Sequence, residues 1–317
     1  MDSITFEALP FPSVIRIEPS SACNLACRHC PSGTEAMQRG IMDEKTFGQV
    51  LRAIEPHAQG VRVAVLYHGG EPLLNRHFPE MVCCLRGLGI PFIKTVSNGM
   101  LLDEVLTQQI IDSGLDAIEF SLDGKSPDEN NFFRRQSDYL TVVRNVKRLL
   151  DRRRAQPLCR LKVYISSTQF AQGSSETLEP PSVPEHLKAE FSGPYQGEVE
   201  FKCTWAMRWP LQEVLAERFI IVPSSESSVS YQPYCDHVVN TLTIRWNGDI
   251  VPCCFDLKSS LVLGNIDDAD LLTIWNSERF RSLRQAIQKQ EPLPLCADCN
   301  VIRHPKIYLA VRPELDC

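Results

Sequence analysis

Cys23-Asn24-Leu25-Ala26-Cys27-Arg28-His29-Cys30 follows directly on a β-branched, strand-like run over residues 14–18. Its three cysteines fall at spacings of four and three residues. Packing does not account for three thiols so close together. The spacing is too tight for ordinary disulfides, which need suitable Cα separations and divergent loops. It suits a loop wrapped around one metal centre. A structural zinc site is normally closed by four ligands. A [4Fe–4S] cluster held by three thiolates leaves one iron open to bind something else. A zinc knuckle completed by a distant ligand is the alternative at this point.

The chain around this loop has 317 residues, 43% of them apolar, which allows one large domain plus a small one and ample core. Its net charge of −6 carries no basic excess, so nucleic acid is not expected as a partner. The basic run at residues 144–154 has helical spacing of apolar residues and reads as one solvated helix face. The opening residues are acidic without a long apolar core, and no run of 18 apolar residues occurs, so neither export nor a membrane span is expected. Thirteen cysteines without an export signal point to a reducing cytoplasm, where clustered thiols bind metal or do redox chemistry.

Strand-like and helix-like segments alternate through the first two-thirds. Strands are expected at 14–19, 61–67, 91–97, 117–122, 161–167 and 198–204, with helices at 43–55, 78–88, 103–113 and 138–154. Asp43 is the expected N-cap of its helix and Gly114 the stop of another. Cys83 and Cys84, in an apolar helix, are expected in the core. Strands separated by helices imply an α/β fold with a parallel sheet of right-handed βαβ units. Residues 169–194 break the rhythm with prolines and serines and at most one short helix at 185–191. They read as a surface loop or a substrate lid. The Ser-rich stretch 223–234 reads as a linker, dividing the chain into 1–222 and 223–317.

Candidate chemistry recurs where strands end. Gly69-Gly70-Glu71-Pro72 closes the second strand, and glycines there let a ligand approach the backbone. Asn98-Gly99 closes the third strand and Ser121-Leu122-Asp123-Gly124 the fourth, with Arg134 downstream. Singly, Asn98-Gly99 and Asp123-Gly124 read as turns and Arg134 as a surface charge. Glu18 and His68 lie near strand ends as substrate contacts, or as a brace and a core histidine.

C-x3-C-x2-C after a first strand, with Gly69-Gly70-Glu71-Pro72 after the second, resembles the signature of the radical S-adenosylmethionine (SAM) superfamily. That family usually has an aromatic residue before the third cysteine; His29 stands there here. The resemblance implies a partial (β/α)6 barrel with its chemistry at the C-terminal strand ends. Cys23, Cys27 and Cys30 would hold a [4Fe–4S] cluster. Gly69, Gly70, Glu71, Asn98, Ser121 and Arg134 would contact SAM. The reduced cluster would cleave SAM to a 5′-deoxyadenosyl radical that takes a hydrogen atom from substrate. An electron donor of flavodoxin or ferredoxin type is implied.

The second half has thiols of its own at Cys235, Cys253, Cys254, Cys296 and Cys299, the last two as C-x2-C. Asn247-Gly248 between them marks a β-hairpin, and a helix is expected from about 269 to 288. The pattern is similar to the SPASM/twitch extensions of radical SAM enzymes. It implies a second [4Fe–4S] cluster on Cys235, Cys296, Cys299 and one of Cys253 and Cys254, with the spacing to Cys235 selecting Cys253; structural zinc on the same thiolates is the alternative. Cys254 is then free. It is either a small residue on the hairpin's other side or the hydrogen-atom donor of an epimerase. The resemblance extends to epimerases and dehydrogenases of aminoglycoside-type small molecules, with peptide modification as a further outcome.

Overall fold

The computed structural model describes residues 8–172, 180–213, 215 and 219–311. The strands are β1 (Val14–Ile17), β2 (Val63–Val65), β3 (Phe92–Ser97), β4 (Ala117–Ser121), β5 (Lys162–Gln169), β6 (Ala171–Gln172), β7 (Glu200–Trp205), β8 (Phe219–Pro223), β9 (Ser230–Tyr231), β10 (Thr241–Ile244), β11 (Asp249–Val251), β12 (Gly264–Asn265), β13 (Arg303–His304) and β14 (Ile307–Val311). The helices are α1 (Pro31–Thr34), α2 (Glu44–Ile54), α3 (Phe78–Gly87), α4 (Glu104–Asp112), α5 (Pro127–Phe133), α6 (Tyr139–Arg154), α7 (Glu185–Glu190), α8 (Asp236–Asn240), α9 (Leu271–Trp275), α10 (Glu278–Gln288) and α11 (Pro294–Ala297). None of them is long and apolar enough to cross a membrane.

Nine strands form one open sheet in the order β12-β11-β10-β1-β2-β3-β4-β5-β7. The six strands from β1 to β7 in that order run parallel, the partial (β/α)6 barrel expected from the motifs. Helices follow where a short polar side chain can satisfy the first free amides. Asp43, Asp103 and Asp138 accept from Thr46 N, Leu106 N and Thr141 N at the starts of α2, α4 and α6. The outer face of each strand enters the hydrophobic core: Ile15 and Ile17 on β1, Ile93 on β3, Ile118 and Phe120 on β4, Val163 and Ile165 on β5. Alternation turns Arg16, Lys94, Glu119, Tyr164 and Lys202 to the other face, the barrel lumen.

The hairpin β10–β11 is antiparallel, but β10 pairs parallel with β1, Val14 opposite Thr241 and Ile17 opposite Ile244. The cysteine-bearing C-terminal segment thus continues the barrel sheet. A second, three-stranded sheet, β6-β14-β8, brings the end of the described chain back beside the strand ends.

Three local expectations are corrected. The helix expected at 269–288 is two, because Ser277 caps a new helix by accepting from Phe280 N. Cys83 and Cys84 are exposed on the outer side of α3, whose core face is Met81, Val82 and Leu85. The stretch read as a linker begins on the last residue of β8 and includes β9, both paired with strands near the C-terminus. Within 169–194, β5 runs on to Gln169 and α7 covers Glu185–Glu190, while 173–179 lie outside the described residues.

Candidate active site

The cysteine loop is fastened to the end of α5. Ala26 N donates to Arg135 O (3.1 Å), Arg28 N to Phe133 O (2.8 Å) and Arg28 Nε to Phe132 O (3.0 Å). On the other side Glu71 N donates to Ala22 O at 2.8 Å. At Gly70 an added Cβ would sit 2.3 Å from Ala22 O and 2.5 Å from Ser20 O. The cysteine loop's own backbone thus leaves no room for a side chain at this position.

Between these segments lies a cavity of about 230 Å³. Cys23, Cys27, Cys30, Gly69, Gly70, Glu71, Asn98, Ser121 and Arg134 all line it. Among the described residues no three His, Cys, Asp or Glu side chains converge as ligands of a single ion would; the three thiols instead border one space. Burial pushes all three up, Cys27 to about 12, with Arg134 acting in the opposite direction.

Several lining residues are fixed by the protein itself. The Glu71 carboxylate accepts from Leu73 N (3.1 Å), Ser97 Oγ (2.8 Å) and Asn98 N (2.7 Å), and burial holds it above the usual carboxylate range. Asn98 Nδ2 donates to Asn24 Oδ1 at 2.8 Å, tying the end of β3 to the cysteine loop. Arg134 Nη1 donates to Asp123 Oδ2 at 2.8 Å, and its buried Nε has no partner. Burial pushes Asp123 up, but Arg134 and His29 outweigh it and leave the carboxyl below its ordinary value. His29 packs edge-on against Phe170, within a stack of Phe133, Phe170 and Phe219 that brings β8 over the loop.

Glu18 is a brace. Its carboxylate accepts from Gly69 N (3.1 Å), Arg245 Nε (2.5 Å) and Trp246 N (3.2 Å). It joins the end of β1 to the second motif and to the β10–β11 hairpin. His68 lines the cavity with Nε2 3.2 Å from Asp256 O and Nδ1 without a partner. Burial, then Arg245 and Arg16, hold it neutral.

In the C-terminal segment Cys235, Cys253, Cys296 and Cys299 are all buried, and Cys254 is half-buried. Burial pushes the four up, Cys296 and Cys299 to about 12, and in each of them a neighbouring thiol adds to the rise. The Cys254 thiol lies beside the Arg16 guanidinium in the lumen. Arg16 lies 5.5 Å from the ring centroid of Tyr67, which lines the cavity. Cys253 and Cys254 both lie past the end of β11, in the bend and turn that follow it, so the strand alternation expected from the sequence does not reach them.

Ser97, Asp123, Arg16 and Arg245 were missed as site residues. Asp123-Gly124 read as a turn, and a buried carboxylate there is visible only once Arg134 arrives. The run Arg16-Ile17-Glu18 did hold a signal: charges alternating with isoleucine in a buried parallel strand have to face a polar lumen.

Residues 17–156 match the model of the Radical SAM superfamily, and residues 235–300 that of SPASM, an iron–sulfur cluster-binding domain. The chain is 23% identical to the tungsten-containing aldehyde ferredoxin oxidoreductase cofactor-modifying protein of Pyrococcus furiosus, over 90% of this chain and 86% of that protein. Its fold is similar to that of BtrN, solved in complex with AdoMet and 2-DOIA (TM-score 0.60, 16% identity, covering 92% of this chain and 94% of that one). It is also similar to Streptococcus suis SuiB bound to precursor peptide SuiA (TM-score 0.59, 16% identity, covering 93% and 73%). The residues present fit the cofactors this implies. Three thiols border the cavity, four buried thiols gather in the C-terminal segment, and the orphan Arg134 Nε offers a cationic donor beside the first set. The chain is a member of the radical SAM superfamily with a C-terminal SPASM domain, and its cofactors are an iron–sulfur cluster, an auxiliary cluster and S-adenosylmethionine.

Proposed function

We propose that this enzyme abstracts a hydrogen atom from a polar, sugar-like small molecule seated in the barrel lumen and returns one from Cys254, so that the net reaction is epimerisation. Cys23, Cys27 and Cys30 would hold the radical-generating cluster, and Cys235, Cys253, Cys296 and Cys299 the auxiliary one. When bound, cluster and SAM supply a 5′-deoxyadenosyl radical that takes hydrogen from a substrate carbon. Arg134, Asn98 and Ser121 would orient SAM, and Glu71 holds the ends of β2 and β3 in place around it.

The observation that carries the reading is the position of Cys254. It is half-buried and lies beside Arg16 in the lumen, while Cys235, Cys253, Cys296 and Cys299 are buried. Its S–H bond breaks as a C–H bond forms on the substrate face opposite the abstraction. The sulfur radical left behind takes one electron from an external flavodoxin- or ferredoxin-type donor and one proton from solvent.

A second outcome is favoured by one observation. His68 lines the same cavity, is held neutral, and has Nδ1 unpartnered. A base there would take the proton in a dehydrogenation, with the second electron leaving through the auxiliary cluster. Reaction of the reduced enzyme in D2O separates the two. Uptake of a single deuterium without net redox change, lost in Cys254→Ala, is the expected result. Loss of two mass units in product, or epimerisation untouched by Cys254→Ala, overturns the donor assignment.

A further inference from the structure

The lumen holds more positive charge than hydrogen-atom transfer requires. Arg16 sits between two core isoleucines of β1 and therefore faces inward. It is only 6% exposed, yet neither its Nε nor its Nη1 has a hydrogen-bond partner. Lys94 stands at the same level of the sheet, since Arg16 is in register with Val65 and Val65 with Lys94. Among the described residues no ion pair joins Arg16 or Lys94 to a carboxylate. The third cation, Lys202, is already held by Glu119 at 2.6 Å and lies over the Tyr164 ring. Arg16 and Lys94 thus face the lumen without an ion-pair partner of their own among the described residues. Burial first, then Lys202 and Arg16, pull the Lys94 ammonium down, as expected for cations facing a common space.

A buried guanidinium with unmade hydrogen bonds is costly, and its planar fork matches an oxyanion. We propose that the substrate carries an oxyanion group, a carboxylate or a phosphate, that docks between Arg16 and Lys94 beside Tyr67. This rests on the lumen being the substrate site. It places the reacting carbon near Cys254, which Arg16 also touches. It also excludes the polycationic aminoglycosides that the sequence resemblance suggested, because their ammonium groups would meet like charge.

The test uses the reconstituted holoenzyme with SAM bound. Inorganic phosphate, acetate and neomycin are titrated separately by calorimetry at low ionic strength. One of the two anions is expected to bind, and Arg16→Met and Lys94→Met are each expected to weaken it by about tenfold or more. Iron content and SAM affinity should be unchanged. Preference for phosphate over acetate, or the reverse, identifies the group. If Arg16→Met fails to fold, the half-buried Lys94→Met carries the test alone. Absence of binding by both anions up to about 10 mM, which is weaker than about 3 kcal/mol, overturns the proposal. So does neomycin binding in their place, or full anion affinity in the variants. An altered auxiliary-cluster spectrum in Arg16→Met with unchanged anion affinity would make Arg16 the cluster's counter-charge instead. Failure here leaves Cys254-dependent deuterium uptake intact, whereas failure of the epimerase reading abolishes that uptake and leaves anion binding intact.

Discussion

Replacing Glu18 by glutamine should loosen the junction between the barrel and the C-terminal segment. The Glu18 side chain is fully buried and that of its partner Arg245 is 3% exposed. The carboxylate accepts three donors, from Gly69 N, Arg245 Nε and Trp246 N. Bonds to a charged group contribute about 1.5–3 kcal/mol each, so their sum sets an upper limit. The amide keeps one acceptor oxygen and turns an NH2 toward a donor. Arg245 keeps Leu257 O and Ser259 Oγ, both at 2.9 Å, which reduces the loss. Removing one partner of a buried pair typically costs about 3–5 kcal/mol, and that is the expected destabilisation. Against a total stability of about 5–15 kcal/mol it is a large fraction. Urea unfolding followed by tryptophan fluorescence measures it, since Trp246 is itself bonded to Glu18. In a double-mutant cycle with Arg245→Met, the two single losses should exceed the double loss by about 2 kcal/mol or more. Glu18→Gln within about 1 kcal/mol of wild type, with additive singles, would refute the brace.

Gly70→Ala puts a methyl 2.3 Å from Ala22 O, a backbone atom that cannot swing aside, so a loss of about 1–3 kcal/mol in urea unfolding is expected. Gly60→Ala, with nothing within 4 Å, is the control and should be neutral or stabilising. Cys235→Ala should halve the iron bound, from roughly eight atoms per chain, while SAM cleavage persists; full iron retention would remove the auxiliary-cluster assignment. Cys27→Ala should halve the iron and abolish SAM cleavage. His68 is neutral when folded but takes a proton when unfolded below about pH 6.5, so the unfolded chain binds more protons there and stability falls as pH drops. His68→Gln should lessen that fall by up to about 1.4 kcal/mol per pH unit, and identical pH slopes for variant and wild type would contradict it.

The barrel was legible because its signals are local. Residues 61–67, 91–97 and 117–122 announce strands by apolar and β-branched runs, and Asp43, Asp103 and Asp138 mark helix starts within a few residues. The helix break at Ser277 was missed because Asn276-Ser277 interrupts an otherwise continuous apolar period. The outward turn of Cys83 and Cys84 was missed because two thiols in an apolar helix read as core. The brace and the ion pair at Arg134 were not legible in the same way. Glu18 and Arg245 are 227 residues apart, and they meet only because β10 docks beside β1.

Local sequence narrowed the chemistry: three thiols in one short loop mark a metal centre, and Gly69-Gly70-Glu71-Pro72 after the second strand carries the resemblance that implies an iron–sulfur cluster. It also determined the order of elements that carries that loop to a strand end. Which charges are satisfied depended on how distant strands dock. Glu18, read as a substrate contact or a brace, is the brace because three donors already occupy its oxygens. Arg16, a single charge between two isoleucines, is left buried with unmade hydrogen bonds, because among the described residues no carboxylate pairs with it. Burying a charge is costly unless a partner arrives, and which partner arrives depends on distances that no local window of the chain contains.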